Sequence, residues 1–205
     1  MGDDLRKTYD RIAQDWYNDH KHDSWQKEVT RHFGTLFAKH ARILDIGGGP
    51  GIKAKILKDM GLDVEVADFS EGLIEEGRKH YPDIPFRQLD IRDVDSLPDR
   101  YDGIFAFAVL LHLKKSETFE VLKKLAGRLK PNGKLFIGLK EQRPDRPEEE
   151  MHTEDDYGYE YTRFFSYYSA VEVDRMLQSA GLNIIWRKHH GPVEKRWYMA
   201  VGQRD

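Results

Sequence analysis

"ILDIGGGPG", from Ile43 to Gly51, sets three apolar residues around an acid and follows them with four glycines and a proline in five positions. Such a turn between a strand and a helix lets a ligand approach the backbone closely, because glycine carries no Cβ and enters the left-handed region freely. The amides at the start of the following helix favour an anionic group. A bare turn is a poor explanation, since four glycines lower stability without any packing return. The dinucleotide fingerprint G-x-G-x-x-G would put its third glycine where Ile52 stands. Here the pattern is G-x-G-x-G through Gly47, Gly49 and Gly51, and the turn is entered through Asp45, where a dinucleotide-binding strand is normally apolar.

Outward from this turn, short apolar strands alternate with helical stretches. Upstream, Leu5, Tyr9, Ile12, Ala13 and Trp16 recur at three and four residues and predict a helix over 5–17; a second is expected over 25–39. Downstream, "IKAKILKDMG" reads as a helix stopped by Gly61, "LDVEVADFS" as a strand, and Ser70 as the cap of the helix "EGLIEEGRKHY". "IPFRQLDI" is strand-like, "YDGIFAFAVLL" a buried strand, "SETFEVLKKLAGRL" a helix and "GKLFIGLK" a fifth strand. This alternation predicts an α/β fold with a mostly parallel sheet covered on both faces. The polar, proline-broken "EQRPDRPEEEMHTEDDYGYEY" is expected to be a long excursion, of the kind that forms lids or stays disordered. A helix over 169–180 then leads to "LNIIWRKHH" and "KRWYMAVGQ", which the short "GPVE" makes antiparallel.

The 205 residues, 39% hydrophobic and 12% aromatic, suit one globular domain with one core. There is no cysteine, which removes disulfides, thiolate nucleophiles and Cys-ligated metals. The nine histidines form no ligand-spaced cluster with carboxylates, so no metal is expected. No stretch approaches the ~18 apolar residues of a membrane span, and the start lacks a secretory apolar run; a soluble, cytoplasmic protein is expected. With 33 Lys and Arg against 36 Asp and Glu there is no global basic footprint for nucleic acid, and a small-molecule partner is favoured.

"LDIGGGPG" resembles the first motif of the class I S-adenosylmethionine-dependent methyltransferases, and the later elements follow in that family's order over nearly the whole chain. The resemblance implies a doubly wound seven-stranded sheet of order 3-2-1-4-5-7-6 with strand seven antiparallel. It also implies a single domain with lid helices at 1–40 and an insertion at 141–168. S-adenosyl-L-methionine would be the cofactor and S-adenosyl-L-homocysteine the product. Asp45, Gly47, Gly48, Gly49 and Gly51 would form its cradle; Asp68 would accept the ribose hydroxyls and Phe69 would lie by the adenine. Asp90 and the Ile91 amide would meet the adenine edge, and carbonyls near Ala106 and Phe107 the cofactor's ammonium.

The acceptor is less marked. There is no N/D-P-P-Y after the fourth strand and no acid at that strand's end, where Phe107 and Ala108 stand; this argues against nucleobase, glutamine, metal-dependent catechol and ribose methylation and leaves small-molecule enzymes. In that group the counterparts of Tyr9 and Tyr17 belong to the lid, and His112 stands where a base or acceptor contact is common; Tyr9 and His112 are the catalytic candidates. Lys140 and Arg163 would face the acceptor and favour an anionic one. Each also has a plain structural reading: packing for the tyrosines, a structural histidine, and for Arg163 a partner in the acidic excursion. That excursion opposes a nucleic-acid acceptor. The alternatives are an RNA or protein methyltransferase of the same fold, a nicotinamide-dependent oxidoreductase, and a non-catalytic S-adenosylmethionine-binding protein.

Overall fold

The computed structural model describes residues 2–98, 100–192 and 195–205, so Val193 and Glu194 of the "GPVE" link lie outside the described residues. Among these residues six α-helices are formed by Gly2–His20 (α1), Ser24–Gly34 (α2), Ile52–Asp59 (α3), Glu71–His80 (α4), Lys115–Gly127 (α5) and Ala170–Ser179 (α6). The strands are Arg42–Ile46 (β1), Asp63–Asp68 (β2), Phe86–Gln88 (β3), Tyr101–Phe107 (β4), Leu129–Lys140 (β5), Glu149–Glu154 (β6), Tyr161–Ser166 (β7), Leu182–His190 (β8) and Trp197–Arg204 (β9). Seven of them make one sheet in the order β3-β2-β1-β4-β5-β9-β8, which is 3-2-1-4-5-7-6 when its own strands are counted. The last strand of the sheet runs antiparallel to both neighbours.

The excursion is not a structureless loop. β6 and β7 pair into a separate two-stranded sheet. β6 alternates exposed and half-buried residues, the period of a strand with one covered face. Elsewhere the differences are at element ends. β3 is confined to three residues, and Ile91 opens a 3-10 turn, Ile91–Ser96. Leu110 and Leu111 leave β4 for a second 3-10 turn ending at His112, after Ala108 has taken a left-handed φ of 58°.

Two compact units divide the chain. The first runs to Ile91 and takes in Thr153–Arg163; the second comprises Arg92–His152 and Phe164–Asp205. In the first, β1, β2 and β3 pair in parallel, with Asp45 opposite Val66 and Asp68 opposite Gln88. α1 lies on α4, where a Cβ at Gly72 would come 2.7 Å from the Asp10 carbonyl oxygen, so only glycine permits this approach. Asp10 Oδ1 seals the contact by accepting from the Ser70 hydroxyl at 2.7 Å and the Gly72 amide at 3.0 Å. Ser70 Oγ in turn accepts from the Leu73 amide, the cap that its position predicts. In the second unit, β4 and β5 pair in parallel and β5, β9 and β8 antiparallel. Ser169 and Glu172 close a capping box at the start of α6.

Candidate functional site

The glycine turn follows β1 directly. Gly47, Gly49 and Gly51 have φ of 65°, 54° and 77°, conformations that other residues adopt only with strain. Gly48 serves differently: a Cβ there would lie 2.7 Å from Oδ2 of Asp45. The acid that enters the turn and the glycine three places on are therefore one arrangement, in which the missing side chain keeps space beside a carboxylate.

That carboxylate is 1% exposed. The Ala54 amide bonds to it, yet Oδ2 has no hydrogen-bond partner; among the described residues it is the only buried carboxylate oxygen so placed. Burial pushes the Asp45 carboxyl up to about 7, with the charge of Asp68 adding to the rise and that of Lys53 opposing it. Unsatisfied buried oxygens are costly, and they concentrate where a ligand completes the bonding.

Asp68 ends β2 and is also buried. Its Oδ2 accepts from the Gly49 amide at 2.8 Å and its Oδ1 from the Ser70 amide at 2.9 Å, so it ties the glycine turn to the start of α4. Burial raises its carboxyl to about 6 while those amides pull it down. Its carbonyl takes the Leu89 amide at 2.8 Å, which brings Asp90 and the buried Ile91 beside the same strand end. Phe69 follows at the surface of the turn, edge-on to Tyr9 at 6.0 Å. The residues Asp45, Gly47, Gly48, Gly49, Gly51, Asp68, Phe69, Asp90 and Ile91 thus belong to one unit and to three consecutive strand ends.

Tyr9, Tyr17 and Arg163 also lie in this unit. Arg163 Nε and Nη2 hold the two carboxylate oxygens of Glu154 at 2.6 and 2.5 Å, and Nη1 donates to the Tyr9 hydroxyl at 3.3 Å. The guanidinium charge is thereby met by the excursion's own acid. Burial lowers the affinity of Arg163 for its proton, but Tyr9 and Glu154 more than offset this, and the residue stays charged. Burial likewise lifts the Tyr9 phenol above its ordinary range. Tyr17 stacks on His80 at 4.0 Å and meets the Tyr81 hydroxyl, so it packs α1 against the end of α4.

Ala106, Phe107, His112 and Lys140 lie in the second unit. Ala106 and Phe107 end β4 in the core, with Phe107 stacked on Trp197 at 5.1 Å. His112 Nδ1 is 2.7 Å from the Phe164 carbonyl. A carbonyl oxygen only accepts, so Nδ1 carries a proton, and in the neutral ring the lone pair is on Nε2. Lys140 Nζ stands 4.0 Å from the centroid of the Phe165 ring, and the His112 ring lies 5.0 Å from the same ring between centroids. His112 and Lys140 are thus brought to one aromatic residue, while Arg163 is in the other unit.

Three residues that sequence reasoning passed over matter here: Asp10, Lys53 and Glu154. Lys53, the second residue of α3, is 8% exposed, with its ammonium 5.9 Å from the Trp16 ring centroid. In sequence it is one lysine of "IKAKILK" like the others. Asp10 and Glu154 act on partners 60 and 9 positions away, and only the spacing of Glu154 and Arg163 along a hairpin carried a local signal.

Residues 17–186 match the family described as Methyltransferase domain. Among curated proteins the chain is 28% identical over 137 residues to a demethylmenaquinone methyltransferase of Renibacterium salmoninarum, covering 67% of this chain and 56% of that one. It is 33% identical over 132 residues to a trans-aconitate 2-methyltransferase of Methylobacterium nodulans, covering 61% and 48%. The chain thus spans about half the length of these relatives. Among solved structures, the 1,6-didemethyltoxoflavin-N1-methyltransferase of Burkholderia thailandensis, with S-adenosylhomocysteine bound, superposes with a TM-score of 0.76 at 15% identity, over 99% of this chain and 88% of that one. With the glycine turn, the sheet order and a match over residues 17–186, the chain belongs to the methyltransferase-domain family.

Proposed function

We propose that the protein transfers a methyl group from S-adenosylmethionine to a small-molecule acceptor. The observation that carries this reading is the glycine turn's buried Asp45, whose Oδ2 is unsatisfied beside the space left by Gly48. The cofactor fits that chemistry: a ligand with a cationic group suits an orphan carboxylate, and a ribose diol suits the remaining lone pairs of Asp68. Further support is the family match and the S-adenosylhomocysteine held by a protein of the same fold.

When bound, the cofactor supplies an electrophilic methyl on a sulfonium, a good leaving group. The protein's share is alignment and the exclusion of water. In this reading Gly47, Gly48, Gly49 and Gly51 offer bare backbone, Asp68 and Phe69 hold the nucleoside with Asp90 and Ile91, and Ala106 and Phe107 offer carbonyls. His112 Nε2 is the base for an acceptor that arrives protonated. Tyr9 and Tyr17 belong to the lid, and residues 1–40 and 141–168 are additions to a single methyltransferase domain. Lys140 is the cation toward an anionic acceptor. Arg163, engaged by Glu154 and Tyr9, acts by fixing Tyr9. The acids of the hairpin favour a small acceptor over nucleic acid, in a cytoplasmic setting. No described helix is long and apolar enough to cross a membrane.

The test is incubation with methyl-labelled S-adenosylmethionine and a cell extract, followed by separation of the products by size. Label among small molecules is the expected result. Label in RNA or protein would overturn the acceptor class, and absence of cofactor binding would overturn the reading itself.

A further inference from the structure

A helix that lies against a ligand site is coupled to it when helix and ligand both bias the position of the same group. α1 reaches the glycine turn by two routes. A Cβ at Gly49 would lie 3.9 Å from the Trp16 ring, so the ring rests on the turn itself. Nearer the helix start, Asp10 Oδ1 accepts from the Ser70 hydroxyl at 2.7 Å and from the Gly72 amide at 3.0 Å. Ser70 is buried and acts in three directions: its hydroxyl donates to Asp10, the same oxygen accepts from the Leu73 amide, and its own amide donates to Oδ1 of Asp68. Oδ2 of Asp68 takes the amide of Gly49, the residue on which Trp16 rests. The series Asp10, Ser70, Asp68, Gly49 thus leaves α1 and returns beneath it. The two acids also feel one another: burial raises the Asp68 carboxyl, and the charge of Asp10 adds to the rise.

Capping of α4 does not by itself call for Asp10, since Ser70 already serves the Leu73 amide from its own side chain. What Asp10 adds is a bond to the capping residue from another helix, at an approach that only a glycine at position 72 allows. With both oxygens of Asp68 held by amides, the direction of its remaining lone pairs depends on where Ser70 and Gly49 stand. We propose that Asp10 is a positioning residue that couples the seating of α1 to the binding of the nucleoside: it holds Ser70, Ser70 orients Asp68, and the same contacts keep α1 over the glycine turn. This deepens the function proposed above and rests on its assignment of Asp68 to the ribose. Such coupling is reciprocal, so what Asp10 adds to ligand affinity the ligand returns as tighter seating of α1.

The test follows hydrogen exchange of the α1 amides with and without S-adenosylhomocysteine, alongside calorimetric affinity, in the wild type, Asp10→Ala and Asp10→Asn. In the wild type the ligand is expected to slow exchange in α1 about tenfold. Asp10→Ala should bind about tenfold more weakly and lose that slowing, while Tyr17, held by His80 and Tyr81, keeps α1 on α4. Asp10→Asn retains an oxygen acceptor for Ser70 and Gly72 and should recover both properties. An Asp10→Ala protein that loses stability in urea but keeps the wild-type affinity and slowing would make Asp10 structural and overturn the inference. An Asp10→Asn protein no better than Asp10→Ala would move the effect from position to charge and overturn it too. Without any variant, saturating adenosine should slow α1 exchange in the wild type and 2′,3′-dideoxyadenosine, which lacks both ribose hydroxyls, should not; equal slowing by the two is a further refutation. Wild-type protein that binds S-adenosylhomocysteine with no change in α1 exchange overturns the inference alone. Wild-type protein that binds neither S-adenosylhomocysteine nor S-adenosylmethionine removes the proposed function and this inference with it.

Discussion

The glycine turn and the hairpin tip each bury a charge, and they treat it in opposite ways. At the tip, Arg163 spends three donor nitrogens on Glu154 and Tyr9, and the pair is about equally shielded, at 15% and 14% exposure. At the turn, Asp45 keeps an oxygen with no partner, at 1% exposure. Both lie in the same compact unit. A satisfied buried charge holds structure together, whereas an unsatisfied one is a standing cost that only a ligand removes.

The comparison is most exposed to Glu154→Gln. It removes the carboxylate charge that holds the shielded Arg163 guanidinium and is expected to destabilise the protein by about 3–5 kcal/mol in urea unfolding. Affinity for S-adenosylhomocysteine, extrapolated to the folded fraction, should change little. Asp45→Asn is the converse: it is expected to weaken S-adenosylhomocysteine about 10–100-fold while the unliganded protein unfolds no more easily than the wild type, since the cost of the buried acid goes with it. If the two variants exchanged these effects, the assignment of structure to one charge and ligand to the other would be reversed.

pH sharpens the contrast. Folding raises the Asp45 carboxyl from 3.8 to about 7, so across that window the folded protein binds more protons than the unfolded chain. The stability of the unliganded protein therefore falls as pH rises through the window, the opposite of a salt-bridged acid. Affinity for a ligand ammonium rises over the same range, because only the ionised acid attracts it. S-adenosylhomocysteine is expected to bind about tenfold more weakly one unit below the carboxyl's midpoint than on the plateau above it. Calorimetry between about pH 5 and pH 8 reads this, and a flat profile would place the ligand's cation elsewhere.

The smallest effect concerns Tyr9→Phe, which removes the acceptor of one Arg163 donor and should cost about 1 kcal/mol or less. A turnover loss beyond tenfold with stability nearly intact would move Tyr9 from framework to chemistry.

What was legible in the sequence was local. The glycine turn, the cap at Ser70 and the acid ending β2 are each specified within a few residues, and the alternation of strands and helices carries the mostly parallel sheet, while the strand order came with the resemblance to the class I methyltransferases. The hairpin was illegible because "EEMHTE" has the composition of a solvated loop. It is held as a strand by partners that lie elsewhere: Glu148 and Glu149 on Lys115, Glu150 on Tyr167, and Glu154 on Arg163. Lys53 was hidden for another reason. Burial of one lysine among several on a short helix depends on what covers it, here Trp16 of α1, and no periodicity encodes that.

α1 is pinned by hydrogen bonds from Thr8 to the Thr162 carbonyl, from Arg11 to the Glu160 carbonyl and from Tyr159 to Asp15. The last of these joins residues 144 positions apart. During synthesis, then, the amphipathic helix emerges long before its partners on the hairpin exist. Contacts of such separation form late, because the loop must close before they contribute. Until the hairpin tip arrives, the Asp10 contact with Ser70 and Gly72 and the Tyr17 contacts with His80 and Tyr81 hold its apolar stripe against α4. Those contacts close over roughly 60 residues rather than 150, so they can cover the apolar stripe before the hairpin exists.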